Sequence, residues 1–274
     1  HVEKGYLLYT ALLNRISHDS QLLIIVSTVF ILFAICFFIY KESSDVALSF
    51  LIFSSQIWLG TMNGLRQYMV AAALWLVWRR WERSTPCKKN DILFIIAVAL
   101  MASFHRSVLI CIPMFFCARG KLYNKKVMAC IGIALVMVLV SPIYNLVFNM
   151  LLGGTEYADY VDTNAAMGIA RFIVSCVPSV LIWLYYFIYL KDKEPEKNRM
   201  TWMMNLSCLN FACNILALKM VYFARIGIYF SIFDLMVIPY CVDKCFTESS
   251  RKILKVLMLI FYAIFFYKQM LAHG

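Results

Sequence analysis

The chain has 274 residues, of which 63% are hydrophobic and 15% are charged, and its formal net charge is +11. Soluble domains are about half apolar and about one quarter charged, so this composition excludes an ordinary soluble protein and indicates a polytopic integral membrane protein. The positive charge does not indicate nucleic-acid binding, because the basic residues lie in short loops between apolar segments rather than on a soluble face.

The apolar segments predict an all-α protein, a polytopic bundle of about eight membrane-spanning helices. Residues 6–16 form a short amphipathic helix that is too short to cross a bilayer. The longer segments approach the roughly 20 residues that a spanning helix needs, and only helices satisfy their own backbone groups in lipid. The predicted spans are 21–40, 46–62, 64–81, 127–150, 168–190, 201–218, 221–241 and 253–271.

Segment 92–118 has the wrong length and charge pattern for a simple span. It carries His105 and Arg106 at its middle, and basic residues flank both of its ends. A single span would place one basic flank outside, whereas a re-entrant hairpin of two short helices places both inside. Each limb would then be only about 20 Å long, so that the tip of the hairpin ends within the membrane. Such a tip is tolerated where protein or water surrounds its backbone. We favour the hairpin, with the single span as the alternative.

The distribution of Lys and Arg predicts which loops face the cytoplasm, where short loops are enriched in these residues. Loop 151–167 contains three acidic residues and no Lys or Arg, as an outer loop should. The cations predicted inside are Lys41 and those of the loops 79–91, 119–126, 191–199 and 243–255. Eight cations remain, outside or within the membrane: Lys4, Arg15, Arg66, Arg106, Arg171, Lys219, Arg225 and Lys268.

Four of these eight cations are arginines at the outer ends of predicted spans or at the hairpin tip. Guanidinium groups are permanently charged and bind phosphate in bidentate fashion, so an anionic ligand on the outer side is expected. His105 is the only histidine in an apolar segment, and its pKa range suits acid–base chemistry. We expect one outward cavity around His105, although single arginines could also reach lipid headgroups. The four arginines are Arg66, Arg106, Arg171 and Arg225.

Polar residues accompany two of these arginines at helical spacing. Asn63, Arg66 and Gln67 are spaced i, i+3 and i+4, which predicts that they share one helix face. Tyr229 follows Arg225 by four residues and is predicted to accompany it at the site. Asp234 falls on the opposite side of that helix and is predicted to be a packing or hydrogen-bonding group.

Four short elements resemble those of the EpsG family, which is related to the Wzy-like polysaccharide polymerases. Residues 63–71 resemble its N-x-x-R-Q-x-[IL]-A element, and residues 102–108 resemble A-x-x-H-x-S-[AL]. Residues 3–6 resemble E-x-G-Y, and residues 225–230 resemble R-x-x-x-Y-F. The family has an acidic residue just upstream of the E-x-G-Y element, where this chain has His1, and at least one earlier membrane segment that this chain lacks. Residues 1–274 are therefore expected to be a single membrane domain that lacks an N-terminal membrane segment.

The resemblance implies a membrane glycosyltransferase of GT-C-like type. It would join undecaprenyl-diphosphate-linked oligosaccharide units at the outer face of the bacterial cytoplasmic membrane, in capsule, O-antigen or exopolysaccharide biosynthesis. The sequence shows no metal-ligand spacing and no nucleotide-binding loop, so no metal and no cofactor are expected. The partners of such an enzyme would be the lipid-linked substrate, the bilayer, a chain-length regulator and a flippase. The alternatives are a transporter of lipid-linked oligosaccharides or small solutes, and an acyltransferase that decorates the polymer.

The charged and polar residues suit the chemistry that the resemblance implies. The four arginines would stabilise the diphosphate leaving group, because fixed cations stabilise developing negative charge. The predicted catalytic residues are His105, Arg66 and Glu3, and the base that activates the acceptor hydroxyl is His105 or one of the carboxylates Glu3, Asp159 and Asp162. The predicted substrate-binding residues are Asn63, Gln67, Arg106, Ser107, Arg171, Arg225, Tyr229, Asp159 and Asp162.

Overall fold

Helices form the framework throughout the part of the chain that the computed structural model describes, residues 2–140, 167–190 and 198–273. The all-α prediction is confirmed there, with no strand in these ranges. The α-helices are α1 Lys4–Asn14, α2 Ser20–Glu42, α3 Val46–Gln56, α4 Trp58–Asn63, α5 Leu65–Glu82, α6 Lys88–Met101, α7 Cys111–Ala118, α8 Lys125–Leu139, α9 Ile169–Tyr185, α10 Arg199–Ala217, α11 Tyr222–Cys245 and α12 Glu248–His273. A 3₁₀ turn covers Arg106–Ile110, and a π turn covers Tyr186–Leu190.

Four of the helices in these ranges are long and apolar enough to cross a membrane, which makes the chain an integral membrane protein. They coincide with the predicted spans 21–40, 168–190, 221–241 and 253–271. The prediction of about eight spans is not confirmed. The four helices are Ser20–Glu42, Ile169–Leu190, Tyr222–Cys245 and Glu248–Leu271.

The predicted span 46–62 forms two helices, α3 and α4, because the helix is interrupted at Ile57. The carbonyl of Ser55 accepts a hydrogen bond of 3.1 Å from the side chain of Gln269. A continuous helix would use that carbonyl for the N–H four residues later, so the ladder is disturbed where α3 gives way to α4. The hydroxyl of Ser55 also bonds back to the Leu51 carbonyl, which favours a bend.

The other three predicted spans differ for reasons of charge, polarity or extent. Helix α5 covers Leu65–Glu82, one residue later at each end than the predicted 64–81, and carries four charged residues in 18. Helix α10, predicted as 201–218, is buried along most of its length and contains three asparagines, as expected for a helix surrounded by protein. Helix α8 ends at Leu139, and the rest of the predicted span 127–150 lies largely outside the described residues.

Segment 92–118 is broken at His105, as the hairpin prediction requires. Helix α6 ends at Met101, and His105 has extended backbone angles (φ −157°, ψ 108°). The 3₁₀ turn and α7 follow immediately. The interruption is therefore confirmed, while the re-entrant course of the two limbs stays a prediction.

The chain divides into two compact units. The first comprises His1–Met114 and Phe246–Gly274, and the second comprises Phe115–Cys245. In the first unit, α2 packs against α5, with Phe38, Trp75 and Trp78 fully buried. In the second unit, α10 and α11 form the main contact and bury large aromatic side chains. The prediction of a single domain over 1–274 stays a prediction.

Candidate active site

The carboxylate of Glu3 is the centre of a charged cluster in the first unit. The Nη1 atom of Arg66 donates a hydrogen bond to its Oε2 atom at 3.0 Å. The backbone N–H of Arg106 donates to its Oε1 atom at 3.3 Å. The Nδ1 atom of His105 lies 3.7 Å from the same oxygen, slightly beyond hydrogen-bond distance. Three separate stretches of sequence therefore meet at one carboxylate.

Exposure increases from the carboxylate towards the arginines of the cluster. The side chain of Glu3 is 13% exposed, that of His105 is 25% exposed and that of Arg66 is 37% exposed. Arg106 lies at the surface. The two arginines are therefore more accessible to an anion from outside the protein than the carboxylate of Glu3 is.

Gly5 positions Glu3 by bringing the start of α1 into backbone contact with the turn before His105. The N–H of Gly5 donates to the carbonyl of Ser103 at 2.9 Å. A Cβ atom at this position would lie 2.8 Å from that carbonyl oxygen and 2.9 Å from the Cβ of Ser103. Only glycine allows such an approach, which explains why the element that carries Glu3 has glycine two residues later.

Tyr6 provides an aromatic surface beneath Arg66. The Cζ atom of Arg66 lies 5.4 Å from the centroid of the Tyr6 ring, within the range of a cation–π interaction. Burial raises the pKa of the Tyr6 hydroxyl, although the charge of Arg66 opposes the change. Tyr6 therefore stays neutral at ordinary pH and supports the guanidinium without competing with Glu3 as a second anion.

The prediction that Asn63, Arg66 and Gln67 share one helix face is wrong. Helix α4 ends at Asn63, and α5 begins at Leu65, with Gly64 between them outside both helices. Glycine is unfavourable inside a helix, and here the ring of Tyr68 packs against it. As a result Asn63 is exposed on the preceding helix, while Gln67 is buried in the first turn of α5.

Among the remaining predicted site residues, Ser107 is half-buried in the 3₁₀ turn beside the cluster. The others lie in the second unit or outside the described residues. Arg171 and Arg225 are exposed in the first turns of α9 and α11, and Tyr229 is fully buried. Their convergence on His105 stays a prediction, as do their roles in binding. Asp159 and Asp162 lie outside the described residues.

Sequence analysis missed most of a buried polar network in the second unit. The Ser207 hydroxyl donates to one oxygen of Asp234 at 2.5 Å, and the Asn210 amide donates to the other at 2.7 Å. The hydrogen-bonding role predicted for Asp234 is thus confirmed. Ser207, Asn210 and Asn214 are spaced three and four residues apart, so their polar face on α10 was a readable signal.

Comparison with known proteins gives one result. The model of the EpsG family matches residues 1–274, the whole chain. No curated protein and no solved structure matches the chain. The elements predicted to carry the likeness include those that meet at Glu3. The chain therefore belongs to the EpsG family, a family of Wzy-like polysaccharide polymerases.

Proposed function

We propose that the protein polymerises undecaprenyl-diphosphate-linked oligosaccharide units at the outer face of the bacterial cytoplasmic membrane, in capsule, O-antigen or exopolysaccharide biosynthesis. The observation that carries this proposal is the meeting of Glu3, Arg66 and His105, from three distant parts of the chain, at the surface of a membrane protein. Family membership supports a polymerase, and the cluster supplies an acid–base pair beside an anion-binding group.

The arginines stabilise the diphosphate that leaves during transfer. Arg106 is exposed beside Glu3, and Arg66 reaches the surface while its Nη1 atom holds the carboxylate. Fixed cations stabilise negative charge that develops on a leaving group, and they can do so without a metal. Diphosphate binding by Arg171 and Arg225 stays a prediction.

Glu3 and His105 activate the acceptor. A closing movement of about 1 Å would bring the Glu3 carboxylate within hydrogen-bond distance of Nδ1, which would fix the imidazole tautomer with Nε2 as the base. Such contacts are often long without substrate and tighten when it binds. The acceptor hydroxyl gives its proton to Nε2 as its oxygen bonds to the anomeric carbon of the donor. The bond from that carbon to the diphosphate oxygen breaks, and the lipid diphosphate leaves with the electron pair.

The charge pattern supports an outward-facing site. The arginines of the cluster lie at the start of α5 (Arg66) and just after the end of α6 (Arg106), whereas the other end of α5 and the loop that joins it to α6 hold the basic group typical of cytoplasmic loops. Lipid-linked units must therefore reach the outer leaflet before they are joined, which calls for a flippase. A chain-length regulator is a further expected partner.

Polymerisation by purified full-length protein with lipid-linked repeat units tests the proposal. We expect Arg66→Ala, His105→Ala and Arg225→Ala each to abolish long-chain product while the protein still inserts into membranes. The matched control is Arg15→Ala, which removes an exposed arginine at the end of α1 outside the cluster. It should leave the product ladder unchanged.

A normal ladder from the His105→Ala or Arg66→Ala protein would disprove the assigned mechanism. Absence of any polymer from the unaltered protein, together with movement of lipid-linked oligosaccharide across a vesicle membrane, would instead favour a transporter.

A further inference from the structure

An open apolar groove lies in the first unit beside the Glu3 cluster. Its volume is about 590 Å³, within the range of about 300–1,000 Å³ that is usual for ligand sites. Helices α1, α2, α5 and α6 all contribute to its walls. The lining residues on which the inference depends are Tyr9, Val26, Phe30, Ala73, Leu100 and Phe104.

The chemistry of the walls selects a hydrocarbon. Every lining residue is aliphatic, aromatic or methionine, and the one hydroxyl among them belongs to Tyr9. That hydroxyl shares a hydrogen bond of 2.9 Å with Ser27. A sugar or another polar solute would lose its hydrogen bonds with water on entering this groove and gain few in return, which is costly.

A row of aromatic rings connects the groove to the charged cluster. The Tyr6 ring, which supports Arg66, lies 6.0 Å from the Tyr9 ring, and Tyr9 lies 6.2 Å from Phe104. Phe104 lines the groove and immediately precedes His105. A molecule with its anionic end at the cluster would therefore have its apolar end at the groove.

The groove is accessible from the side of the helices that faces lipid. Val26 on α2 is 37% exposed, and Leu100 on α6 is 68% exposed, although both line the groove. Helix α2 is one of the helices able to cross the membrane. Exposed apolar residues along such a helix face acyl chains, so a lipid can enter without passing through water.

We propose that this groove binds the polyprenyl chain of the lipid-diphosphate substrate while the diphosphate lies at Arg66 and Arg106. The inference rests on the proposed function and deepens it. Charge complementarity favours a diphosphate lipid. The Arg66 guanidinium and the Arg106 backbone N–H both contact the Glu3 carboxylate, so two cationic residues accompany one carboxylate at the end of the groove and leave a net positive charge.

The groove contributes orientation rather than a large hydrophobic free energy. A chain that moves from bilayer to protein exchanges one apolar environment for another, so little surface leaves water. Holding the chain at a fixed depth places the sugar–phosphate bond beside His105, and such positioning is a major source of rate enhancement.

Ala73 creates the space that the chain occupies. Its neighbours Ala71 and Ala72 are fully buried in helix packing, whereas Ala73 lines the groove. Ala73→Phe should fill the groove, raise the KM for the lipid-linked substrate several-fold and leave the purified protein monodisperse. Ala263→Phe is the matched control, because Ala263 is an exposed alanine on α12, and it should leave KM unchanged.

Photo-crosslinking identifies the occupant directly and does not depend on the Ala73 variant folding. Benzoylphenylalanine would replace Leu100 in one protein and Ile260, an exposed residue of α12, in the control. Each protein is placed in vesicles that contain phospholipid and a polyprenyl-diphosphate oligosaccharide, and adduct masses are measured. We expect a polyprenyl adduct at position 100 and phospholipid adducts at position 260.

The outcomes separate the groove from the reaction. Phospholipid alone at position 100, or an unchanged KM in a folded Ala73→Phe protein, would overturn the groove assignment even if polymer forms. A polyprenyl adduct at position 100 in a protein that makes no polymer would support the groove and disprove the proposed function.

Discussion

At the scale of single residues, the Glu3 carboxylate can reach its partners because α1 begins with its backbone against Ser103. The contact depends on the missing side chain of Gly5, and it fixes the residue two positions earlier beside Arg66 and His105. The pairing of Arg66 with Glu3 reduces the net charge that a diphosphate meets. Arg106, at the surface, is thus the stronger candidate for the first contact with substrate.

Replacing Gly5 with alanine should disturb the site more than the fold. The added methyl group would press on the carbonyl and Cβ of Ser103, and overpacking of this kind costs about 1–3 kcal/mol. We expect the start of α1 to move away and separate Glu3 from Arg66. Polymerising activity should fall tenfold or more, which corresponds to about 1.4 kcal/mol of activation free energy. Activity assays on Gly5→Ala protein, with melting temperature measured in parallel, check this.

The control for this variant is Gly132→Ala on α8, where an added Cβ meets no other atom within 4 Å. It should keep full activity. Gly5→Ala protein with unimpaired activity would show that the contact with Ser103 does not position Glu3.

The sequence indicated which residues matter at the cluster but not how they pair. Arg66, His105 and Glu3 were each recognisable from charge in an apolar context and from motif spacing. The pairing of Arg66 with Glu3, however, spans 63 residues, and no local rule of helix spacing relates such distant positions. The Glu3 contact to the Arg106 N–H also depends on the extended backbone of His105, which only the fold reveals.

At the scale of helices, hydropathy located helical segments within the described residues, including the boundary between 46–62 and 64–81, but it missed the interruption at Ile57. The break at Ile57 depends partly on Gln269, which belongs to α12 and is remote in sequence. The break at Gly64 had a local signal in the glycine itself, yet the i, i+3, i+4 pattern of Asn63, Arg66 and Gln67 pointed to a continuous helix. Tertiary contacts and glycine decided these two boundaries against periodicity.

The buried network between α10 and α11 should be important for stability. Asp234→Ala removes the carboxylate, so that the buried donors of Ser207 and Asn210 lose this acceptor. The free energy of unfolding should fall by about 2–3 kcal/mol. Asp234→Asn keeps an acceptor oxygen and should cost less. Thermal unfolding in detergent, followed by fluorescence, measures both.

Ser231→Ala is a suitable reference on the same helix. Its hydroxyl donates to the carbonyl of Ile228 within α11 itself, so its loss should change stability little. Equal melting temperatures for Asp234→Ala and Ser231→Ala would contradict the importance given to the network.

A second link between helices is sensitive to acid. Asp45 caps α3 and pairs with Lys255 of α12 at 2.5 Å. Burial raises the pKa of the Asp45 carboxyl, but hydrogen bonds from Lys255 and the Leu48 N–H, with the charge of Lys255, outweigh it and leave the pKa below its usual value. The pair therefore stabilises the folded state above a pH of about 4, and this contribution is lost as the pH falls through the lowered pKa.

Lys255→Ala should consequently lower stability at neutral pH by about 0.5–1 kcal/mol, with the difference from the unaltered protein shrinking below a pH of about 4. Melting temperatures of both proteins from about pH 3 to about pH 7 measure this difference. Lys252→Ala on the same helix removes an exposed pair with Glu248 and should have little effect at any pH. A deficit of Lys255→Ala that is independent of pH would refute the role of Asp45.

At the scale of the whole molecule, the distribution of positive charge is the property from which orientation follows. Basic groups concentrate in a few loops, and a smaller set of cations, including Arg66 and Arg106, lies elsewhere. Charge bias of this kind sets orientation through the short loops next to spans. The proposed site is useful to the cell only if the cluster opens on the side where lipid-linked sugars are joined, so orientation and function must be tested together.

Labelling of single cysteines provides that test and decides the course of segment 92–118. Cys87 is exposed before α6, and Lys121 is exposed after α7, so the hairpin places both inside, whereas a single span separates them. With the other cysteines replaced, a membrane-impermeant maleimide should label Lys4→Cys in intact cells. It should label Cys87 and Lys121→Cys only after permeabilisation. Labelling of either position in intact cells would refute the hairpin, and failure to label position 4 would place the Glu3 cluster on the wrong side for the proposed reaction.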